Sequence, residues 1–173
     1  MSAEQGGGVS VVDEQTDVTL DLDHWSSLVS LVLSAEHIPA TANIALAFVD
    51  EVRIAALNDE YLGVSGPTDV LAFPIDLDGA RHGSEDDPNR RDSVSGGPPL
   101  MLGDVLVCPA VAARHATERD QPIESEIALL VVHGSLHLLD YDHDRPNETA
   151  TMQRREREIL AMFDDNESVA KGR

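Results

Sequence analysis

Three histidines, His133, His137 and His143, fall within eleven residues of a chain that holds seven in all. His133 and His137 are four apart, so a helix stacks both imidazoles on one face, about one turn apart. His143 lies past the expected helix end, where a turn can carry it back toward the first two. A helical pair plus a third imidazole is the usual protein share of a catalytic zinc site, with one position left open for water or substrate. A single histidine on an apolar face is ordinarily a packed core residue. Three together would leave several ring nitrogens to satisfy, at about 1–3 kcal/mol for each unpaired group, so the spacing favours a metal.

Neutral imidazoles leave zinc its full charge, which favours ionisation of bound water near neutral pH and polarises a carbonyl or phosphoryl oxygen. The ligand spacing matches the long zinc-peptidase motif, His-Glu-x-x-His-x-x-Gly-x-x-His. Gly134 stands where that motif carries its general base, and Asp140 where it carries its turn glycine. Gly134 cannot move a proton, which weakens a peptidase reading. Asp140 is the milder departure, because Asp tolerates a left-handed backbone better than most residues. Asp142 and Asp144 flank His143 and can serve a histidine N–H or the turn backbone.

The elements that must position these groups follow from pattern. Ser125–Leu139 reads as the helix carrying the pair, with Ile127, Leu130, Val131, Gly134 and Leu138 in one stripe and Asp140–Asp142 as its exit turn. Before it, Val9–Val12 reads as a strand, and Asp21 or Asp23 caps a helix buried through Trp25, Leu28, Val29 and Val32. Ala42–Val52 reads as a central strand, followed by a helix through Ile54, Leu57 and Tyr61 that Gly63 ends. Gly66–Pro74 is a turn and a strand that Pro74 closes, and Leu102–Cys108 is a further strand. A short alanine-rich helix follows Pro109 and stops before Gln121-Pro122. A last helix spans Asn147–Phe163, buried through Met152, Ile159, Leu160 and Phe163, with Glu156 and Glu158 on its solvated face. The expected class is α+β: a single mixed sheet of about four strands with about five helices, and the metal site at the end of a central helix. Residues 1–8 form a disordered tail, 9–165 one domain with 78–99 as a flexible surface loop, and 166–173 a polar C-terminal tail.

Composition limits the function. With aromatics at 3%, the core must be built from Leu, Val, Ile and Ala. The lone Cys108 lies in an apolar run and reads as a buried small hydrophobe. No apolar run approaches the roughly 18 residues a spanning helix needs, so the expectation is a cytoplasmic protein with no membrane partner. A net charge of −20 opposes non-specific coating of nucleic acid while leaving room for a local site that holds one phosphate.

Residues 133–143, His-Gly-Ser-Leu-His-Leu-Leu-Asp-Tyr-Asp-His, resemble the signature of the YbeY family of bacterial ribosomal RNA maturation factors, His-Gly-x-Leu-His-Leu-x-Gly-Tyr-Asp-His. Leu57-Asn58 with Tyr61-Leu62-Gly63, then Pro67–Pro74, resembles the family's second block, and Leu102–Val105 through Cys108-Pro109 its third. The resemblance implies one zinc ion per chain held by His133, His137 and His143. It also implies a single-strand-specific endoribonuclease that matures the 3′ end of the small-subunit RNA and serves ribosome quality control. Implied partners are ribosomal RNA and the small subunit, with a ribosomal protein or an assembly GTPase to dock so acidic a chain. Thr68, Asp69 and Asp104 lie in the matching blocks and join Asp142 as candidates near the metal. Two departures stand out: Asp140 replaces the family's turn glycine, and Leu62 stands where the family tends to carry an arginine, with Arg53 and Arg114 as substitutes to consider. A metallopeptidase-like hydrolase and a non-catalytic assembly factor with a structural metal are the alternatives. A saturated metal would mark the latter.

Overall fold

A computed structural model describes residues 8–75, 99–141 and 144–172. Most of the expected tail 1–8 and loop 78–99, together with Asp142 and His143, lie outside the described residues. Within them run β1 (Val9–Asp13), α1 (Leu22–Ala35), β2 (Asn43–Phe48), α2 (Glu51–Leu62), β3 (Val70–Pro74), β4 (Met101–Val107), α3 (Pro109–Glu118), α4 (Ile123–Leu138) and α5 (Pro146–Lys171). The four strands form one sheet in the order β1-β2-β4-β3. β1, β2 and β4 are parallel, and β3 closes one edge antiparallel to β4. The mixed α+β architecture read from the sequence is the one observed.

Local chemistry sets the boundaries. Asp21 caps α1, its carboxylate accepting from the N–H groups of Asp23 and His24. β2 is shorter than the Ala42–Val52 strand expected, because Asp50 takes the N-cap of α2 and accepts the Arg53 N–H at 2.8 Å. Gly63 ends α2 with φ of +64°, as a left-handed cap requires. Gly103 in β4 has φ of +132°, and a Cβ there would lie 2.2 Å from the Phe73 carbonyl oxygen. Only glycine lets β4 approach β3 so closely where the β2–β4 register shifts.

Two apolar clusters hold the sheet. The larger joins α1, α4 and α5 to one face through Trp25, Leu28, Leu46, Val105, Val131 and Ile159. The smaller packs Ile54 and Val111 onto Leu71 and Leu106 on the other face. Cys108 is fully buried in that second cluster, as its apolar surroundings led one to expect. α4 is thus the central helix, in contact with α1, α3, α5, β3 and β4. No helix among the described residues is long and apolar enough to cross a membrane.

α5 departs from expectation twice. It continues to Lys171, so residues 166–171, read as a polar tail, are helical turns. Glu167 holds them in place: it meets His24 Nδ1 at 2.8 Å and Lys171, one turn on, at 3.6 Å. Glu156 is buried rather than solvated. Met152, Glu156, Ile159 and Phe163 are spaced at i, i+4, i+7 and i+11, one helical face, and all four are buried.

Candidate metal centre

α4 carries His133 and His137 in its C-terminal half, as the sequence spacing required. Their Nε2 atoms lie 3.2 Å apart, with ring planes at 80°. Two nitrogens bound to one tetrahedral zinc at ~2.0–2.1 Å must sit ~3.3 Å from each other. The pair already has that separation, so these two nitrogens fit two positions of such a metal.

The orientation of His133 has an identifiable cause. Its Nδ1 lies 2.7 Å from Glu156 Oε1, and the carboxylate side chain is only 9% exposed. A carboxylate accepts, so Nδ1 carries the proton and Nε2 keeps its lone pair for a metal. Arg155, the neighbour of Glu156, clamps α5 to the end of α1. It donates to the Glu36 carboxylate, and its Nη2 meets the Ala35 carbonyl at 2.7 Å. Glu36 also accepts the Tyr141 hydroxyl at 2.9 Å. Burial, then the Glu36 carboxylate, raises the Tyr141 phenol above its ordinary pKa, and the same carboxylate raises the Arg155 guanidinium. One charged node therefore fixes both the exit from α4 and the element that presents Glu156.

That exit is a Schellman turn. The Asp140 N–H donates to His137 O at 3.3 Å and the Tyr141 N–H to Leu136 O at 3.1 Å. Asp140 has φ of +67°, the left-handed conformation for which glycine is the usual residue. The chain thus turns sharply just ahead of 142–143 with Asp in the glycine's place.

Gly134 has a packing role. A Cβ there would lie 2.5 Å from Val105 Cγ1 and 3.2 Å from Val70 Cγ2. α4 rests directly on the sheet at that point, and a glutamate general base has no room unless Val105 or the helix shifts.

The pair opens into a groove of about 550 Å³ lined by Tyr61, Leu62, Phe73, Asp69 and the length of β3. Leu62 therefore faces the same space as the histidines and brings no charge to it. The two substitute arginines are engaged elsewhere: Arg53 lies 3.8 Å from Glu14, and Arg114 donates to Glu51, lowering that carboxyl's pKa. Asp69 lines the groove, and the Thr68 hydroxyl lies 3.4 Å from its carboxylate. Asp104 does not join them. It alternates with Val105, whose side chain meets α4, so Asp104 is exposed on the sheet's opposite face.

A second cluster, Asp69, His115 and Glu126, brings its ligand atoms within 4.8 Å of one another and could hold an ion. His115 Nδ1 lies 3.4 Å from Asp69 and 3.8 Å from Glu126. Both Glu126 oxygens already accept from Arg119, at 2.7 and 2.8 Å, and Gln121 donates to one of them. Arg119 and Gln121 thus tie the end of α3 to Glu126 on α4, while the buried His115 Nδ1 has no hydrogen-bond partner among the described residues. Sequence reasoning missed both this network and Glu156.

Comparison with known proteins bears on this site. The family described as Endoribonuclease YbeY matches residues 10–164. A protein of that name from Beutenbergia cavernae is 38% identical over 152 residues, covering 88% of this chain and 95% of its own. Another from a Nocardioides species is 40% identical over 144 residues, covering 83% and 90%. The solution structure of TM1509 from Thermotoga maritima shares the fold, with a TM-score of 0.55 at 22% identity, covering 91% of this chain and 93% of that one.

Proposed function

This chain belongs to the YbeY family, and from that premise we propose that it is a zinc-dependent endoribonuclease. Its substrate is single-stranded ribosomal RNA, at the 3′ end of the small-subunit RNA, and the same activity serves ribosome quality control in the cytoplasm. His133, His137 and His143 hold the metal in this reading, with the remaining position open to substrate. The observation that carries it is the 3.2 Å convergence of two Nε2 atoms in an open groove, with Glu156 fixing the tautomer of one.

Zinc in this position supplies a Lewis acid for a phosphoryl oxygen. The protein's own part is to orient and to exclude. Glu156 holds His133, the Tyr141–Glu36–Arg155 node holds the turn beyond His137, and Asp69 offers a carboxylate at the groove wall. Gly134 leaves the peptidase base position empty, and RNA brings its own nucleophile, the 2′-hydroxyl. Attack by that hydroxyl on the adjacent phosphorus breaks the bond to the 5′-oxygen, which leaves with a proton, and gives a 2′,3′-cyclic phosphate.

Cleavage of matched oligonucleotides tests this. Single-stranded RNA should be cut, its duplex spared, and one 2′-deoxy substitution at the scissile nucleotide should abolish cutting there. Hydrolysis of a peptide control with no cutting of RNA would overturn the nuclease reading in favour of a peptidase-like one.

A further inference from the structure

The described residues of the groove beside the histidine pair are equipped for bases and poorly equipped for phosphates. Among the described residues, none that lines it is Lys or Arg. Among the described residues, Arg53, Arg114 and Arg119 are each paired with a carboxylate, Glu14, Glu51 and Glu126 respectively. The chain as a whole carries −20. Long-range attraction therefore works against a polyanion. What the groove does offer is an aromatic surface. Tyr61, on the last turn of α2, is 60% exposed, and its ring meets that of Phe73 on β3 edge to face, with centroids 5.1 Å apart. Phe73 packs on the face of the sheet away from α4 and meets Tyr61 there, and both line the groove that reaches His133 and His137 past the edge strand.

A large aromatic left this exposed, supported from behind and sharing a groove with a metal-ligand pair, is the arrangement by which single strands are held through stacking. We propose that Tyr61 is the platform on which one unpaired base of the RNA stacks, and that this contact supplies more of the substrate affinity than phosphate neutralisation does. The proposal rests on the endoribonuclease reading and deepens it. It accounts for single-strand preference by a physical cause, since a base inside a duplex has no free face to offer. The competing occupant is an extended apolar peptide added along the outer edge of β3, which also lines the groove.

The test is a coupling experiment on the full chain loaded with zinc. Tyr61→Ala and Tyr61→Phe are assayed on single-stranded RNA and on the same RNA with abasic nucleotides placed singly around the cut. Tyr61→Ala should raise KM by about 5- to 160-fold, the range for loss of one stacked base, with kcat changed less than threefold. Tyr61→Phe should behave as wild type. One abasic position should cost the wild type a similar factor and cost Tyr61→Ala nothing further. Raising salt from 50 to 200 mM should lower kcat/KM by no more than about threefold, as for one phosphate contact. The exposure of Tyr61 makes the alanine variant a mild change to the fold, and an unchanged melting temperature confirms that. If the wild type cuts RNA and Tyr61→Ala matches it, or if salt costs more than a hundredfold, the stacking proposal is overturned while the nuclease reading stands. If the wild type cuts no RNA but an apolar peptide blocks Tyr61 from chemical modification, both fall.

Discussion

Removing the Glu156 carboxylate should weaken zinc binding by about 10- to 100-fold, the usual cost of losing a partner that orients a ligating histidine. That factor corresponds to about 1.4–2.7 kcal/mol. The structure places the effect toward the upper end for Glu156→Ala. The bond is short, 2.7 Å, and the carboxylate is buried among α4 and α5 side chains, so water substitutes for it poorly. Glu156→Gln keeps an acceptor of the same shape and should lose about tenfold or less. The assay is a competition titration against a chelator of known zinc affinity, which needs neither RNA nor catalysis. His133→Ala provides the full-loss reference. If Glu156→Ala binds zinc within twofold of wild type while His133→Ala does not bind, the carboxylate is not orienting the ligand and the account of this centre is wrong.

Three further outcomes follow from the same geometry. Gly134→Ala should lower the unfolding free energy by up to a net ~2 kcal/mol, measured by denaturant unfolding, because overpacking against the stiff Val105 costs ~1–3 kcal/mol against ~1 kcal/mol of helix propensity gained. Asp140→Gly should change stability by less than about 0.5 kcal/mol, whereas Asp140→Val at φ of +67° should cost about 1–2 kcal/mol; equal effects in denaturant unfolding would refute the left-handed cap. Burial raises the Cys108 thiol pKa, so the native chain should resist thiol reagents until it unfolds. Its native form holds the proton at pH values where the unfolded chain releases it, so this group's contribution to stability should fall as pH rises past the ordinary thiol range.

The sequence carried the site's donors more clearly than their supports. An i, i+4 histidine pair in an apolar run can face one way only, and α4 presents it so. The Asp21 and Gly63 caps were also legible, because capping is a local matter of one side chain or one φ. Glu156 was hidden by its company, Arg154-Arg155-Glu156-Arg157-Glu158, which has the composition of a solvated face. Its phase gave it away: it falls on the Met152–Ile159–Phe163 stripe, and a buried carboxylate on such a stripe calls for a partner. The end of α5 depended on a long-range pairing, His24 with Glu167, and no local pattern announces one. The course of β3 beside α4, which makes the groove, likewise arises from sheet order and from close approach at Gly103 and Gly134.

If His133 and His137, with His143, hold a zinc ion that cuts RNA, zinc content and cleavage must be lost together. Metal content and RNA cleavage measured on one preparation, for the wild type and His137→Ala, test it most directly. The substrate is a ribosomal RNA precursor with a single-stranded 3′ tail. The wild type should carry about one zinc per chain and cut in the tail, and the variant should lose both. Zinc bound to the wild type without cleavage, or cleavage that survives in His137→Ala, would contradict it.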